Sequence, residues 1–472
     1  MNFKTIVYII FFIIFFQIHF CASAQFSYTA SKYSYAVNKD QSYGTAIDYA
    51  GKLDTLEYDI YKPIGDGNAH RPVLIVVHGG AWIGGTKNDA SIESICKEMV
   101  ARGYVVAAIN YRLGMHLSSS GGAATSCPVP IDNRIYIADT MEVVRAIYRG
   151  MQDVKGAIRF FKARHQIDST CAENIYICGE SAGSFLAYNT VLMNDATKKP
   201  MHCENITDAP APHSSLVGYL PSGYSLKRPD LGSVGGNLNI NGYNTKVKGI
   251  ACFYGGVLDM DLFKNIDTPS IYLFHQTSDV VVDCGRASLL SIMSYNCLDP
   301  FGFMGCKHIW NMPLSYGSCA LIDSLKKAKY DTAKYVDDIV QNTGPNCLQS
   351  PPGHSIDNIA LRSKNIANLF AKEIYNTEKN SNCHPNIAVP DIDPLSNIIC
   401  YPNPFNNEIN IVNPNIYNSN CSIDIIDMQG KILYTKNITM PLQTISTQHL
   451  NGGMYFIRVQ SGGYSYITKM VK

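Results

Sequence analysis

The chain has 472 residues, of which 46% are hydrophobic, and its formal net charge is +1. A chain of this length and composition buries a large core and forms more than one domain. The near-neutral charge, without a basic stripe, argues against nucleic acid as a partner and favours a small neutral or moderately polar substrate.

The first 24 residues predict a secretory signal peptide. Lys4 precedes an apolar run over residues 6–20, and Ala22, Ser23 and Ala24 follow it. A basic residue, an apolar run and an A-x-A site are typical of a cleaved signal, and an uncleaved membrane anchor is the alternative. No later segment is long and apolar enough to span a bilayer, so we expect a secreted or cell-surface protein without a stable membrane span.

Cysteine usage fits this destination. Removal of Cys21 with the signal leaves an even number of the 15 cysteines, as expected where disulfides form in an exported protein. Cys178 and Cys252 lie in apolar strand patterns, and we expect buried free thiols there. The better candidates for disulfides lie further along the chain: Cys284, Cys297, Cys306, Cys319 and Cys347.

The first part of the chain predicts strands that alternate with helices. Strands are predicted as a hairpin over residues 43–62 and as buried apolar runs over 72–77, 104–109 and 175–178. Helices are predicted over residues 91–102, 139–148 and 152–164, the last of them packing under the strand at 175–178. Continuous apolar strands joined by helices are typical of an α/β fold with a doubly wound, mostly parallel sheet.

The rest of the chain predicts more of this sheet and then a second domain. Residues 203–244, rich in Pro, Gly, Ser and Asn, predict an excursion over the face where the strands end. Further strands are predicted over 247–254 and 270–275, helices over 320–328 and 359–374, and a linker over 380–397. Short β-patterned runs from residue 398 onwards predict a small all-β sandwich.

A G-x-S-x-G pattern follows the apolar run at 175–178. It comprises Gly179, Glu180, Ser181, Ala182 and Gly183. Between a strand and a helix this pattern is a nucleophile elbow, which holds the serine hydroxyl clear of the sheet. We expect a side chain at either glycine to collide with the neighbouring strand or helix. The pattern predicts Ser181 as a nucleophile.

An acid and a base follow Ser181 in the chain. Asp279 directly follows a predicted strand, and His354 lies in the last long loop before the final helix of the sheet domain. The order predicts a catalytic triad in which His354 takes the Ser181 proton and Asp279 stabilises the imidazolium. Other candidates for the acid and the base are Asp259, Asp261, Asp283, His213, His308 and His275, the last of which we expect to pack beside the acid. A disulfide from Cys284 to Cys347 would tie the acid and base loops together.

The turn after the strand at 72–77 predicts an oxyanion hole. The backbone N–H groups of Gly80 and Ala81 are expected to converge with that of Ala182 on the developing negative oxygen. Trp82 is expected to line the acyl or alcohol pocket, and core packing is its alternative. Glu180 is a candidate for contact with the substrate or the histidine loop, and a helix N-terminal carboxylate favoured by the dipole is the preferred interpretation.

Taken together, these motifs resemble the carboxylesterase and lipase branch of the α/β-hydrolase superfamily. The resemblance covers residues 43–375 and rests on residues 78–82, 110–112, 179–183, 275–279 and 353–354. The turn at 78–82 resembles that of the hormone-sensitive lipase group. The glutamate beside the nucleophile, Glu180, resembles the residue at that position in the type B carboxylesterases. Those enzymes usually have a glutamate as the acid of the triad, where this chain has Asp279. The resemblance implies ester hydrolysis through an acyl-enzyme, without a metal or a cofactor.

The tail carries a second resemblance. Residues 401–405, 427–430 and 450–455 contain Tyr-Pro-Asn-Pro-Phe, Asp-Met-Gln-Gly and Leu-Asn-Gly-Gly-Met-Tyr. They resemble the C-terminal sorting domain of type IX secretion cargo. This implies export across two membranes, with the tail read by the secretion machinery and then removed. A carbohydrate-binding or adhesive sandwich is the alternative.

The sequence therefore predicts a secreted serine hydrolase of small-molecule or polysaccharide-linked esters. The predicted boundaries are a signal peptide over 1–24, a catalytic domain over 25–379, a linker over 380–397 and a sorting domain over 398–472. One alternative is a serine peptidase of the prolyl oligopeptidase type, against which the His-Gly-Gly turn argues. Another is a binding protein that keeps the hydrolase fold, against which the intact Ser181, Asp279 and His354 argue.

Overall fold

The computed structural model describes residues 28–115, 140–210, 225–263, 269–291, 312–342, 353–379, 383, 398–412, 421–438, 442–461 and 464–472. Several predictions lie outside these residues: the signal peptide, the linker apart from Cys383, and the positions of His213, His308, Cys297, Cys306 and Cys347. The chain divides into two compact units, with the main boundary between Pro385 and Asn386. Each unit is considered by itself.

The strands of the larger unit are β1 (Ser34–Ile47), β2 (Leu53–Ile64), β3 (Arg71–Val77), β4 (Val105–Ile109), β5 (Thr170–Glu180), β6 (Ile206–Pro210), β7 (Ser225–Arg228), β8 (Gly249–Phe253), β9 (Gly256–Val257), β10 (Ser270–Gln276), β11 (Arg286–Ser288), β12 (Leu314–Gly317) and β13 (Tyr335–Val340). Eight of them form one sheet in the order β1-β2-β4-β3-β5-β8-β10-β13. β2 runs antiparallel to β1 and to β4, and the other neighbours are parallel. This confirms the mostly parallel sheet of an α/β-hydrolase fold.

The helices are α1 (Ala90–Val100), α2 (Thr140–Ala163), α3 (His165–Asp168), α4 (Ala182–Leu192), α5 (Ser318–Lys327) and α6 (Ile359–Lys379). Short 3-10 segments are Ala196–Lys198, Met201–Cys203, Met260–Phe263 and Thr332–Lys334. No helix in the described part of the chain has the length and apolar character needed to cross a bilayer.

Strand β3 is buried on both faces, as its continuous apolar run predicts. Val73, Ile75 and Val77 belong to a hydrophobic cluster that includes side chains of α2 and α4. Leu74 and Val76 belong to a second cluster that includes side chains of α1 and α6. Helices therefore cover both faces of the sheet, which is the doubly wound arrangement.

Helix α2 is a single helix of 24 residues, whereas the sequence predicts one helix over residues 139–148 and another over 152–164. Gly150 lies at the predicted break, where its low helix propensity argues against a continuous helix. In the structure a Cβ at this position would be 2.8 Å from the Leu186 side chain of α4. The close approach of α2 to α4 explains why glycine stands inside the helix.

Residues 231–238 of the predicted excursion lie along α2, and the position of the excursion over the strand ends stays a prediction. Gln152, Lys155 and Arg159 donate hydrogen bonds of 2.8, 3.1 and 2.9 Å to backbone carbonyls within residues 231–238. Burial lowers the pKa of Lys155 to about 7. Buried polar side chains of α2 that donate to carbonyls thus hold residues 231–238 on the helix, and no local sequence pattern predicts these contacts.

The smaller unit contains the strands β14 (Ile399–Tyr401), β15 (Glu408–Val412), β16 (Cys421–Ile426), β17 (Ile432–Ile438), β18 (Leu442–Ser446), β19 (Met454–Ser461) and β20 (Tyr464–Val471). They form two antiparallel sheets, β14-β15-β18 and β17-β16-β19-β20. Ile409 and Ile445 of the first sheet share one hydrophobic cluster with Ile423 and Ile457 of the second. The prediction of a small all-β domain is confirmed.

Candidate active site

Ser181 stands on the sharp turn between β5 and α4. Its φ and ψ angles are 52° and −117°, a conformation that non-glycine residues rarely adopt and that functional sites retain. A Cβ at Gly179 would be 2.3 Å from the carbonyl oxygen of Gly183, and one at Gly183 would be 2.2 Å from that of Val77. Both predicted collisions are present, and the turn has the geometry of a nucleophile elbow.

Ser181, His354 and Asp279 form a hydrogen-bonded row. The Ser181 Oγ lies 2.8 Å from the Nε2 of His354, and the Nδ1 of that imidazole lies 2.7 Å from the Oδ2 of Asp279. Because a carboxylate accepts hydrogen bonds, the proton of a neutral His354 belongs on Nδ1. Nε2 is then left as an acceptor for the serine hydroxyl. The structure brings together the three residues that the sequence singles out.

Asp279 is buried, and its carboxylate is held by hydrogen bonds. Its Oδ1 accepts from the backbone N–H groups of Val281 at 2.8 Å and Val282 at 3.1 Å. Burial by itself raises the pKa of this carboxyl group, but the nearby charge of His354 and a hydrogen bond from His275 outweigh it and lower the pKa to about 2. Asp279 is therefore an anion at neutral pH.

The alternative acids have local partners. Asp259 Oδ1 accepts a hydrogen bond of 2.8 Å from the N–H of Asp261, and Asp283 Oδ1 accepts one of 2.8 Å from the N–H of Gly285. In both cases the carboxylate accepts a hydrogen bond from the backbone N–H two residues later, which forms a short local turn. His275 packs beside the acid as predicted, with its Nε2 at 3.2 Å from Asp279 Oδ2.

Hydrogen bonds fix the carbonyl of Gly79 and thereby the direction of the Gly80 N–H in the same peptide. His78 Nδ1 donates a hydrogen bond of 2.7 Å to the Gly79 oxygen, and the Tyr111 hydroxyl lies 3.3 Å from the same oxygen. In a trans peptide the N–H of Gly80 points opposite to this carbonyl. Gly79 itself adjoins the nucleophile, since a Cβ there would be 3.1 Å from the Ser181 Cβ.

The rest of the predicted oxyanion hole has an unusual backbone. Gly80, Ala81 and Trp82 have φ angles of 103°, 51° and 62°, so three consecutive residues are in the left-handed half of φ space. Ala182 is the first residue of α4, where a backbone N–H has no acceptor within its own helix. These features suit N–H groups that serve a ligand, and the oxyanion role of Gly80, Ala81 and Ala182 stays a prediction.

Trp82 and Glu180, both candidates for contact with substrate, have protein partners. Trp82 is only 3% exposed and meets Phe185 edge to face at a centroid distance of 5.4 Å, which is the packing alternative. The two carboxylate oxygens of Glu180 accept hydrogen bonds from Tyr254 at 2.5 Å and Ser91 at 2.6 Å. Both oxygens of the Glu180 carboxylate are thus bound by donors of the protein itself.

Tyr254 is the residue of this region that the sequence analysis missed. Its ring lies 4.5 Å from the imidazole of His354, centroid to centroid. The signal that predicts its place is position: Tyr254 directly follows β8, whose end lies at the same edge of the sheet as Ser181. A residue at the carboxyl end of a parallel strand is a candidate for the site.

The disulfide of this region joins Cys284 to Cys319, not Cys284 to Cys347 as hypothesised. The hypothesis chose Cys347 because it precedes His354, whereas the structure pairs the acid loop with the start of α5. Cys178 and Cys252 are buried free thiols, as predicted. Within the described ranges no cluster of three or more His, Cys, Asp or Glu side chains suits a metal ion.

The structure is similar to solved esterases. Esterase B from Lactobacillus rhamnosis, inhibited by a tributyrin phosphonate, matches with 12% identity and a TM-score of 0.41 over 81% of this chain and 100% of that one. Esterase Est2 of Thermogutta terrifontis with bound propionate matches with 16% identity and a TM-score of 0.37, over 71% and 94%. A truncated carbohydrate esterase from gut microbiota matches with 16% identity and a TM-score of 0.39, over 73% and 98%.

Two family models match parts of the chain, while no curated protein matches it. Residues 399–472 match the secretion system C-terminal sorting domain, which indicates a secreted or cell-surface protein. Residues 58–120, from β2 past the turn at Gly80, match the family described as BD-FAE, whose domains are esterase-like α/β hydrolases. The chain thus combines an α/β-hydrolase fold, of which residues 58–120 match the BD-FAE family, with a C-terminal segment that matches a secretion sorting domain.

Proposed function

We propose that this protein is a serine esterase that cleaves carboxylic esters through an acyl-enzyme at Ser181. The observation that carries the proposal is the hydrogen-bonded row from Ser181 Oγ through His354 to the buried Asp279, with distances of 2.8 and 2.7 Å. This is the arrangement of a nucleophile, a base and an orienting acid.

In the acylation step the Ser181 oxygen attacks the acyl carbon, and His354 Nε2 takes the hydroxyl proton. The imidazolium that forms is stabilised by the Asp279 carboxylate, which its low pKa keeps ionised. The same proton then passes to the leaving alkoxide, so an alcohol departs and an ester of Ser181 remains. Water attacks that ester in the second half of the reaction, with His354 again as the base.

The oxyanion that develops in both halves needs N–H donors that are fixed beforehand. The N–H groups of Gly80, Ala81 and Ala182 are assigned this role, supported by the tethered Gly79 carbonyl and by the helix start at Ala182. Each such donor contributes roughly 3 kcal/mol of transition-state stabilisation in enzymes of this kind. No metal or cofactor takes part in the proposed sequence of steps.

The proposed substrates are short-chain esters and acyl esters on polysaccharide, including acetyl and feruloyl groups. Export supports a substrate outside the cell, and the BD-FAE match over the oxyanion turn supports an ester. The assignment is tested with the mature protein on p-nitrophenyl acetate and butyrate, and then on acetylated and feruloylated xylan. Ser181→Ala is expected to abolish turnover.

Ser94→Ala is the matched control, because among the described residues the half-buried Ser94 hydroxyl bonds only to the Ala90 carbonyl of its own helix. This variant is expected to keep wild-type turnover. A folded wild-type protein without turnover on any of these esters would overturn the proposal and direct attention to peptide substrates.

A further inference from the structure

The carboxylate of Asp279 lies between two imidazoles. Its Oδ2 is 2.7 Å from the Nδ1 of His354 and 3.2 Å from the Nε2 of His275. Its Oδ1 takes the two backbone N–H groups of Val281 and Val282. Among the residues that the structure describes, the polar contacts of this carboxylate thus come from its own loop and from the two histidines.

The contacts of His275 determine which of its nitrogens carries the proton. Nε2 faces two acceptors, the Val282 carbonyl at 2.8 Å and Asp279 Oδ2 at 3.2 Å, so it must be an N–H donor. Nδ1 faces the backbone N–H of Ser318 at 3.4 Å and the Ser318 hydroxyl at 3.0 Å, so it is an acceptor. His275 therefore directs its Nε2 proton at the acid loop, while Nδ1 accepts from Ser318.

Ser318 is itself fixed from two sides. It precedes Cys319, which is joined to Cys284 by the disulfide, and the N–H of Cys319 donates a hydrogen bond of 2.7 Å to the Cys284 carbonyl. On the other side the N–H of Gly317 donates one of 2.8 Å to the Gly285 carbonyl. The partner of His275 Nδ1 therefore belongs to a covalently closed loop that follows the acid.

We propose that His275 is a positioning residue that holds the Asp279 carboxylate against His354, and that Ser318 sets its orientation. The inference rests on the proposed function, because Asp279 acts there as the acid of the triad. Without the Nε2 proton, Oδ2 would lose the N–H that faces it at 3.2 Å and the Val282 carbonyl would lose its hydrogen bond of 2.8 Å. The carboxylate would then be held on its own loop only through Oδ1, by Val281 and Val282, and Oδ2 would be less firmly fixed against Nδ1 of His354.

The test compares His275→Phe, which keeps a ring without the donor, with His275→Gln, whose amide restores an N–H near the position of Nε2. Loss of a polar contact with a charged group is expected to lower kcat roughly tenfold in His275→Phe. KM is expected to stay at the wild-type value, since the His275 side chain is fully buried. His275→Gln is expected to recover most of kcat. His202→Phe, at a half-buried histidine outside the site, is the control and is expected to behave as wild type.

A proton NMR measurement separates this proposal from the esterase assignment. The Nδ1 proton of His354 in its bond to Asp279 gives a low-field resonance whether or not the ester substrate is correct. This resonance is expected to be lost or displaced in His275→Phe and to return in His275→Gln. Ser318→Ala, which removes one side-chain hydroxyl, serves if His275→Phe does not fold and is expected to displace the resonance to a smaller extent.

An unchanged resonance and an unchanged kcat in folded His275→Phe, or in Ser318→Ala where that variant is needed, would overturn the role of His275 and leave the esterase assignment in place. Loss of kcat that His275→Gln does not restore, with the resonance unchanged, would also overturn it. Absent turnover in the wild type with the expected resonance changes would instead overturn only the esterase assignment.

Discussion

The hydroxyl of Tyr254 donates a hydrogen bond of 2.5 Å to the carboxylate of Glu180, the residue next to the nucleophile. Burial raises the pKa of Tyr254 well above its ordinary value, which keeps the phenol protonated as a donor. The Tyr254 ring meets the imidazole of His354. Glu180 thereby connects the elbow to the base of the triad through a buried tyrosine.

We predict that Glu180 acts on stability more than on substrate affinity. Glu180→Ala leaves the Tyr254 hydroxyl without its acceptor, and the free energy of unfolding is expected to fall by about 1–3 kcal/mol. KM for p-nitrophenyl acetate is expected to stay near the wild-type value. Thermal melts and steady-state kinetics measure the two effects, with Glu93→Ala on the surface of α1 as control. A KM raised tenfold at unchanged stability would favour the substrate contact instead.

The oxyanion turn is expected to be intolerant of a side chain at Gly80. A Cβ there would be 2.2 Å from the Gly84 carbonyl oxygen, and the φ angle of 103° is unfavourable for any other residue. Gly80→Ala is predicted to lower kcat about 10²–10³-fold by displacing a donor of the oxyanion hole. Gly84→Ala is the matched control, because its nearest contact would be 3.9 Å away. Equal kinetics for the two variants would remove Gly80 from the oxyanion hole.

The low pKa of Asp279 leads to a prediction about pH. Its ordinary value of 3.8 is lowered to about 2 in the fold, so its contribution to stability is present above about pH 4 and is lost as the pH falls through 2. Urea unfolding of the wild type and of Asp279→Asn between pH 2 and pH 7 measures this contribution, which is expected to be absent from the variant. The same pH dependence in both proteins would contradict it.

Asp279→Asn is predicted to lower kcat by about 10⁴, as expected when the orienting carboxylate of a triad becomes an amide. Asp283→Asn is the matched control, because Asp283 caps the turn at Gly285 and lies outside the triad. An Asp279→Asn variant with wild-type kcat would move the acid to another residue.

The disulfide is expected to be Cys284–Cys319 in the exported protein. The bridge closes a loop of 35 residues, for which the loss of chain entropy in the unfolded state predicts about 3–4 kcal/mol of stabilisation. The double variant Cys284→Ser, Cys319→Ser should melt lower by the corresponding amount, and a reductant should lower the wild-type melting temperature but not that of the variant. Peptide mapping without reduction identifies the pair, and a peptide that links Cys284 to Cys347 would contradict the structure.

The features that the sequence predicts well are those with a local cause. Gly179 is required by a contact made within one turn, with the carbonyl of Gly183, and β3 is recognisable because burial on both faces demands a continuous apolar run. Ser181 and Asp279 each follow a strand whose pattern is clear, and His354 precedes a helix whose pattern is clear. Their convergence follows from the rule that parallel strands end at one edge of the sheet.

The features that the sequence does not predict depend on distant partners. Gly150 predicts a helix break, and only its close contact with Leu186 of α4 explains why a glycine lies inside the helix. The cations of α2, such as Lys155, find their acceptors in carbonyls nearly 80 residues away. The edge strand β13 carries Asp337 and Asp338 in place of an apolar run, and the partner of Cys284 is set by the position of α5. No local pattern contains this information.

The measurement that tests the central claim most directly is the mass of the intact mature protein after reaction with a fluorophosphonate, followed by peptide mapping. A single adduct on Ser181 is predicted, absent from Ser181→Ala and formed far more slowly in His354→Gln, because only an activated serine attacks the phosphorus. A folded, ester-cleaving protein that takes up no adduct, or takes it up at another serine, would contradict the assignment of Ser181 as the nucleophile.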